Sequence, residues 1–342
     1  MFSYNQESHS KSLQQTNTNN KTSTSIQFFQ FYFSLKKAIY LHFKKNAKIS
    51  QKKSMQTTKL SPESILPLTC SRAGTCCFGK AVMLNPWELL NLSIEKKSTP
   101  KEFRDLYCDF GGIQLRFDGK KDKKGQKACS QYNDSIGCSV HQGRPLACRL
   151  YPLGRQIQFD TAHYIYEGDK FPCLTDCSEV LKLPKLSVSE YLKGQKTTPF
   201  EKAQDAYLVV MQNIADIAFE LLLDSGLAAS GETRTLAAWR TLSTDTPDIL
   251  AKKIGKEWIN CLMIPAITEE INNPISFAQK HNDLLELKAQ ETFGALKTDQ
   301  ELHEASVLIM AVALHLSRGL GADTKGIAEH WIEIAKSHGA QE

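Results

Sequence analysis

The chain lacks any uninterrupted apolar run approaching the roughly 18 residues that a membrane-spanning helix needs, which argues against an integral membrane protein. It also lacks a secretory signal of the usual form. Its most apolar early stretch, Ile26–Phe43, is broken by Lys36 and Lys37, and no small-residue cleavage site follows. There is no P-loop: Asp118–Lys127 (DGKKDKKGQK) separates its two glycines by five residues and no Lys-Ser/Thr follows, so it reads as a solvated charged turn. No glycine-rich loop after a predicted strand suggests an adenosylmethionine or dinucleotide pocket, since Gly111-Gly112 alone is too little. Acids are scarce in one place. Residues 1–54 hold nine lysines against Glu7 and carry +8, so the other 288 residues sum to −3 although the whole chain is +5. A body with no positive excess offers a polyanion no footprint, and no nucleic-acid partner is expected. The 9% of aromatic residues excludes disorder throughout.

The composition divides the chain into three parts. Residues 1–54 read as a disordered basic tail: a Ser/Thr/Asn/Gln tract to residue 25, then an aromatic, lysine-flanked segment. That segment is either an amphipathic stretch able to lie on a membrane surface or, as we expect, an upstream extension of a working protein that starts at Met55. Residues 55–195 are cysteine-rich, punctuated by Gly and Pro, and poor in long helical periodicity. Gly111–Phe117 and Gln156–Ile165 alternate as short strands do, and Pro86–Leu90 reads as the first turn of a short helix. Residues 196–342 carry helical periodicity over Phe200–Asp224, Thr233–Leu242, Asp248–Met263, Ile275–Phe293, Asp299–Arg318 and Lys325–Ser337, with Thr298 and Glu301 in capping-box register. The expected fold is α+β and predominantly α: an irregular cysteine-rich, metal-centred domain followed by an all-helical C-terminal domain.

Nine of the ten cysteines fall between Cys70 and Cys177. Disulfides would need an oxidising compartment, for which no export signal speaks, and we expect a cytoplasmic protein. Inert burial accounts for an isolated Cys108 or Cys261 but not for nine cysteines in one window. Metal ligation does, because a thiolate site draws about four ligands from separated loops. Zinc and iron–sulfur clusters both accept four thiolates, so the metal stays open. The two Cys-x2-Cys knuckles usual for structural zinc are missing, the adjacent pair Cys76-Cys77 is awkward for one small tetrahedral ion, and the thiols outnumber the needs of a single site.

Cys70–Cys77 (CSRAGTCC), Cys129 and Cys138–Arg155 (CSVHQGRPLACRLYPLGR) resemble the YkgJ-type cysteine-cluster family, a zinc- or iron-chelating domain. Leu186–Gln195 (LSVSEYLKGQ) is similar to a stretch that follows the domain in some members. The likeness covers roughly residues 66–195, and Arg144-Pro145, Cys148-Arg149 and Tyr151-Pro152 are its most specific part. The resemblance implies metal ligands at Cys70, Cys76, Cys77, Cys129, Cys138 and Cys148. Cys173 and Cys177 are expected as a second contribution closing over the site. Two departures stand out: Ala73 replaces a cysteine of the family's opening, and His141 replaces a common tyrosine, so His141 is expected beside the site rather than in it. Arg144 and Arg149 are expected to place positive charge near the thiolates, with Pro145 and Pro152 shaping the loop that presents Cys148. Arg155 gets no assignment, and Cys108 reads as a core thiol.

More distantly, the chain resembles flagellin lysine N-methylases, which implies protein-modifying or redox chemistry on an iron–sulfur cluster and, as partner, a protein substrate or a redox protein. The residues themselves supply no catalytic constellation. The radical Cys-x3-Cys-x2-Cys motif is absent, and His303, His315, His330 and His338 lack the Glu-x2-His pairing of di-iron bundles, so they read as surface or capping residues. Trp239, Trp258 and Trp331 read as core. Two functions follow: a 4Fe–4S protein for redox or protein-modifying chemistry, which the cysteine surplus favours, or a zinc-stapled binding module with no activity.

Overall fold

Helix starts are written into this chain as reciprocal caps. In the computed structural model, which describes residues 58–66, 75–158, 161–166, 184–267 and 269–342, Asn85 accepts the Glu88 N–H (2.9 Å) while Glu88 accepts the Asn85 N–H (3.1 Å). This opens helix α1, Pro86–Lys96, with proline at its first position, where a missing N–H costs nothing. Thr99 and Glu102 do the same for α2, Pro100–Tyr107. The short α3, Leu146–Leu150, starts after Pro145, and α4, Val188–Gln195, is boxed by Ser187 and Glu190. Of these four, only the start of α1 is among the expected helices. The others are too short for an apolar period to declare itself.

The strands of this half are short and antiparallel. β1 (Thr58–Leu60), β7 (Leu153–Gln158) and β8 (Thr161–Tyr166) form a sheet in the order β1-β8-β7, with Leu153 opposite Tyr166 and Gln158 opposite Thr161. The remaining pairs span two residues per strand: β2 (Ile65–Leu66) with β9 (Leu186–Ser187), β3 (Cys108–Asp109) with β4 (Gln114–Leu115), and β5 (Tyr132–Asn133) with β6 (Gly137–Cys138). The strand expected over Gly111–Phe117 shrinks to Gln114–Leu115. Phe110, Gly111 and Gly112 instead adopt positive φ (53°, 70° and 119°) and turn the chain tightly against helix α7, defined below. A side chain at Gly111 would run into Ile259 at 2.8 Å, so this close approach requires glycine.

The six expected helices are present: α5 (Thr198–Phe219, continued by one wider turn over Glu220–Asp224), α6 (Arg234–Thr244), α7 (Pro247–Met263), α8 (Pro274–Phe293), α9 (Asp299–Gly319) and α10 (Thr324–Ser337). The second half of α9 is buried on every side, from Ile309 to Ser317, and the helix packs against α5, α6 and α7. Trp239, Trp258 and Trp331 are core residues, as expected. His315 is not a surface or capping residue: it is fully buried in α9, its Nε2–H donating to the Phe110 carbonyl (3.0 Å). A histidine there ties the tight turn at Phe110 to the central helix. His281 is likewise fully buried, accepting from the Tyr207 hydroxyl (3.0 Å) and donating to the Cys261 carbonyl (2.9 Å).

Residues Gln56–Glu342 cluster as one compact unit. Trp87 of α1 donates to the Ile271 carbonyl (2.9 Å) and meets Phe200 of α5 edge-on, while Arg104 of α2 donates to Asn260 of α7. Among the described residues one helical stretch, Thr198–Asp224, is long and apolar enough to cross a membrane by length and composition. Half of its most apolar window is buried inside the fold. The tail 1–54 lies outside the described residues.

Candidate metal centre

Four separate segments bring cysteines to one end of the cysteine-rich half. Cys76 and Cys77 sit on the single turn Thr75–Cys77. The chain then pairs Phe78 with Ala128 across an isolated bridge, and the Cys129 N–H donates to the Cys77 carbonyl (2.7 Å), so Cys129 is held directly beside the first pair. The Gln131 N–H points at the Cys129 sulfur (3.5 Å). β5 and β6 fold back so that Cys138 lies opposite Tyr132, whose ring meets Phe78 edge-on at 5.1 Å. Cys148 is delivered by α3. None of these five thiols is joined in a disulfide, and all are partly buried.

Their electrostatics show that they share one neighbourhood. Cys76 and Cys77 hydrogen-bond to each other; the Cys77 S–H stabilises a Cys76 thiolate, which lowers Cys76 and raises Cys77. Burial raises Cys129 to about 11. Burial first, then the negative charge of Cys129, Cys138 and Cys76, pushes Cys148 well above the usual thiol range. Cys77, Cys129 and Cys148 thus keep their protons until a cation replaces them, whereas Cys76 is the thiolate of its pair. Sulfur is the donor common to all five, which suits zinc or iron–sulfur iron and not the oxygen-seeking magnesium or calcium. Among the described residues no group of three or more His, Cys, Asp or Glu side chains is arranged to hold an ion as it stands.

The expected ligands Cys70, Cys173 and Cys177 lie outside the described residues. Cys108 is a buried thiol on β3, 4% exposed and pushed up to about 12 by desolvation. His141 is half-buried in the turn between β6 and α3.

The arginines divide their work. Arg144 is buried, donates to the Gln195 side chain and adds positive charge near Cys76. Arg149 spends its guanidinium on main-chain carbonyls: Arg144 O (2.8 Å), Gln195 O (2.8 Å) and Gln142 O. Its plane lies 3.9 Å from the Phe200 ring centroid. It binds the Cys148 loop to the end of α4. Arg155 makes a two-pronged ion pair with Asp205 of α5 (2.8 and 2.9 Å).

Three residues that motif reasoning left without a role frame Cys148. Glu88, 4% exposed, accepts the Leu146 N–H at 2.7 Å and so anchors the first turn of α3 to α1. Burial raises its carboxyl to about 7, against the pull of the Leu146 and Asn85 N–H groups and the charge of Arg149. The buried Tyr191 of α4 donates to the Tyr151 carbonyl (2.6 Å). Lys80 lies over the Tyr151 ring, its Nζ 2.8 Å from the centroid. The capping-box register of Asn85 and Glu88 was a readable sign of a helix start, but nothing in the linear text pointed Glu88 at Leu146. Gly143 completes the frame: a Cβ there would meet the Asn91 carbonyl and Glu95 Cβ at 2.9 Å, so the loop before Cys148 presses directly on α1.

Residues 69–165 match the family model CxxCxxCC, described as "Putative zinc- or iron-chelating domain". The match contains Cys70, all five clustered cysteines and the Arg144–Pro152 segment, and this part of the chain is similar to the metal-binding cysteine-cluster domain of YkgJ type. No curated protein and no solved structure matches the chain.

Proposed function

We propose that the cysteine cluster holds an iron–sulfur centre of the 4Fe–4S type, with Cys70, Cys76, Cys77, Cys129, Cys138 and Cys148 as the pool from which its ligands come and Cys173 and Cys177 as accessory thiols. The observation that carries this reading is the convergence of five thiols from four segments within electrostatic reach of one another. Such a surplus exceeds what one tetrahedral zinc requires. When bound, a cluster of this kind supplies one-electron redox chemistry. The chain's own residues would hold it in place. Glu88 and Arg149 fix the helix that presents Cys148, and the Cys129 N–H to Cys77 carbonyl bond keeps two thiol segments in register. The site belongs to a reducing compartment, the cytoplasm, where thiols stay free, and its partner would be a redox protein or a protein substrate.

A structural zinc is the second reading, favoured by the two-residue β pairs around the site, which are too short to hold a domain together on their own. Anaerobic, iron-replete expression separates the two. A brown protein with stoichiometric iron and acid-labile sulfide is expected; a colourless protein carrying only zinc would sink the cluster reading. Cys138→Ser and Cys148→Ser are each expected to lose metal, and full retention in both would overturn the ligand assignment.

A further inference from the structure

The strongest unassigned feature beside the thiols is Lys80. It follows Cys77 by three residues, and Tyr151 follows Cys148 by three, so the contact of its ammonium with the Tyr151 ring joins the two cysteine segments. Both ends are anchored separately. The Gly79 N–H donates to the Lys127 carbonyl (3.1 Å) beside the Phe78–Ala128 bridge, and the Tyr151 carbonyl accepts from the buried Tyr191. The aromatic face thus holds a flexible side chain in one place, where its charge is felt by the sulfurs. Lys80 lies within electrostatic reach of both Cys76 and Cys148, whereas Arg144 reaches Cys76 with its Nη2 engaged by Gln195, and Arg149 reaches Cys148 with its guanidinium engaged by three main-chain carbonyls. Four thiolates around a divalent ion or a cluster leave net negative charge in a partly buried place, and a fixed cation nearby offsets it.

We propose that Lys80, seated on Tyr151, supplies counter-charge to both cysteine segments of the thiolate–metal centre and is a positioning residue for metal retention. This rests on the reading of the cluster as a metal site.

The test measures zinc affinity by competition with a chromophoric chelator, using the full chain loaded with Zn(II). Lys80→Gln is expected to weaken zinc retention by about five- to tenfold at low ionic strength, the size of one nearby charge at an intermediate effective dielectric. The deficit should shrink as salt is raised. Lys80→Arg, which keeps the charge, and Tyr151→Phe, which keeps the ring, should hold zinc like the parent protein. Tyr151→Leu should weaken it about as much as Lys80→Gln, and the double variant Lys80→Gln/Tyr151→Leu no more than either. Parent-like affinity in Lys80→Gln would overturn the proposal, as would a deficit indifferent to salt and not rescued by arginine. If Lys80→Gln does not fold, Tyr151→Leu decides alone, and unchanged affinity there overturns it. A parent protein that takes up neither zinc nor iron defeats the metal reading itself and this proposal with it, an outcome distinct from a parent that binds and a Lys80→Gln variant that binds equally well.

Discussion

Single side chains set the chemistry of this protein. A thiol that is protonated in the empty site must lose its proton to ligate, and Cys77, Cys129 and Cys148 are all raised. Apparent metal affinity should therefore climb with pH across the neutral range, by about one decade per pH unit for each proton displaced, as read by chelator competition at pH 6, 7 and 8. Glu88 gives a second prediction. Removing its carboxylate strands the Leu146 and Asn85 N–H groups, so Glu88→Ala should cost about 3 kcal/mol in urea unfolding. Because its folded value lies near 7, above the ordinary 4.5, its ionisation costs the fold: its favourable contribution is complete below pH 4.5 and is lost as pH rises through 7. Glu88→Gln should flatten that part of the stability profile and cost less than alanine. The cysteines and Arg144 could be singled out from the linear text. Glu88 and Lys80 could not, because their partners at Leu146 and Tyr151 are 58 and 71 positions away.

Elements explain which parts of the fold could be read in advance. The six long helices announce themselves through apolar spacing, and their observed ends fall within about two residues of the expected ones. By contrast α2, α3 and α4 are eight, five and eight residues long. They owe their stability to caps and to the residues pinning them, such as Arg149 to the end of α4. Helix contact also fixes where a methyl group can be tolerated. A Cβ at Gly319, in the last turn of α9, would meet the Leu84 carbonyl at 2.7 Å. Gly319→Ala is expected to cost about 1–3 kcal/mol by forcing α9 away from the cysteine-rich half, with the loss read as a lowered urea midpoint at unchanged slope.

At the scale of the whole molecule, buried histidines link acid sensitivity to packing. His281 and His315 are both depressed to about 4 by desolvation. Their contribution to stability is complete above pH 6.5 and is lost as pH falls toward 4, by up to about 3 kcal/mol each. Between pH 7 and 5 a variant carrying His281→Gln and His315→Gln should lose less stability than the parent, although it starts lower; equal losses would show that neither histidine titrates with folding. His315 also illustrates why its position could not be judged from spacing. Its part of the helix, Ile309 to Ser317, is buried on all sides, and only the assembled fold places Phe110 within hydrogen-bond reach. By itself the amino-acid order determined the class of the fold, the six-helix second half, the cysteine cluster with its Arg-Pro and Tyr-Pro signature, and the location of the surplus positive charge in a tail. Those features are local, written in periodicity, caps and short spacings. Tertiary structure alone decided which thiols face one another, that Arg149 binds three carbonyls while lying within electrostatic reach of Cys148 as Arg144 does of Cys76, and that Lys80 and Glu88 flank the Cys148 segment. Each of these depends on backbone segments far apart in the chain being brought together by burial, a free-energy term that no local pattern encodes.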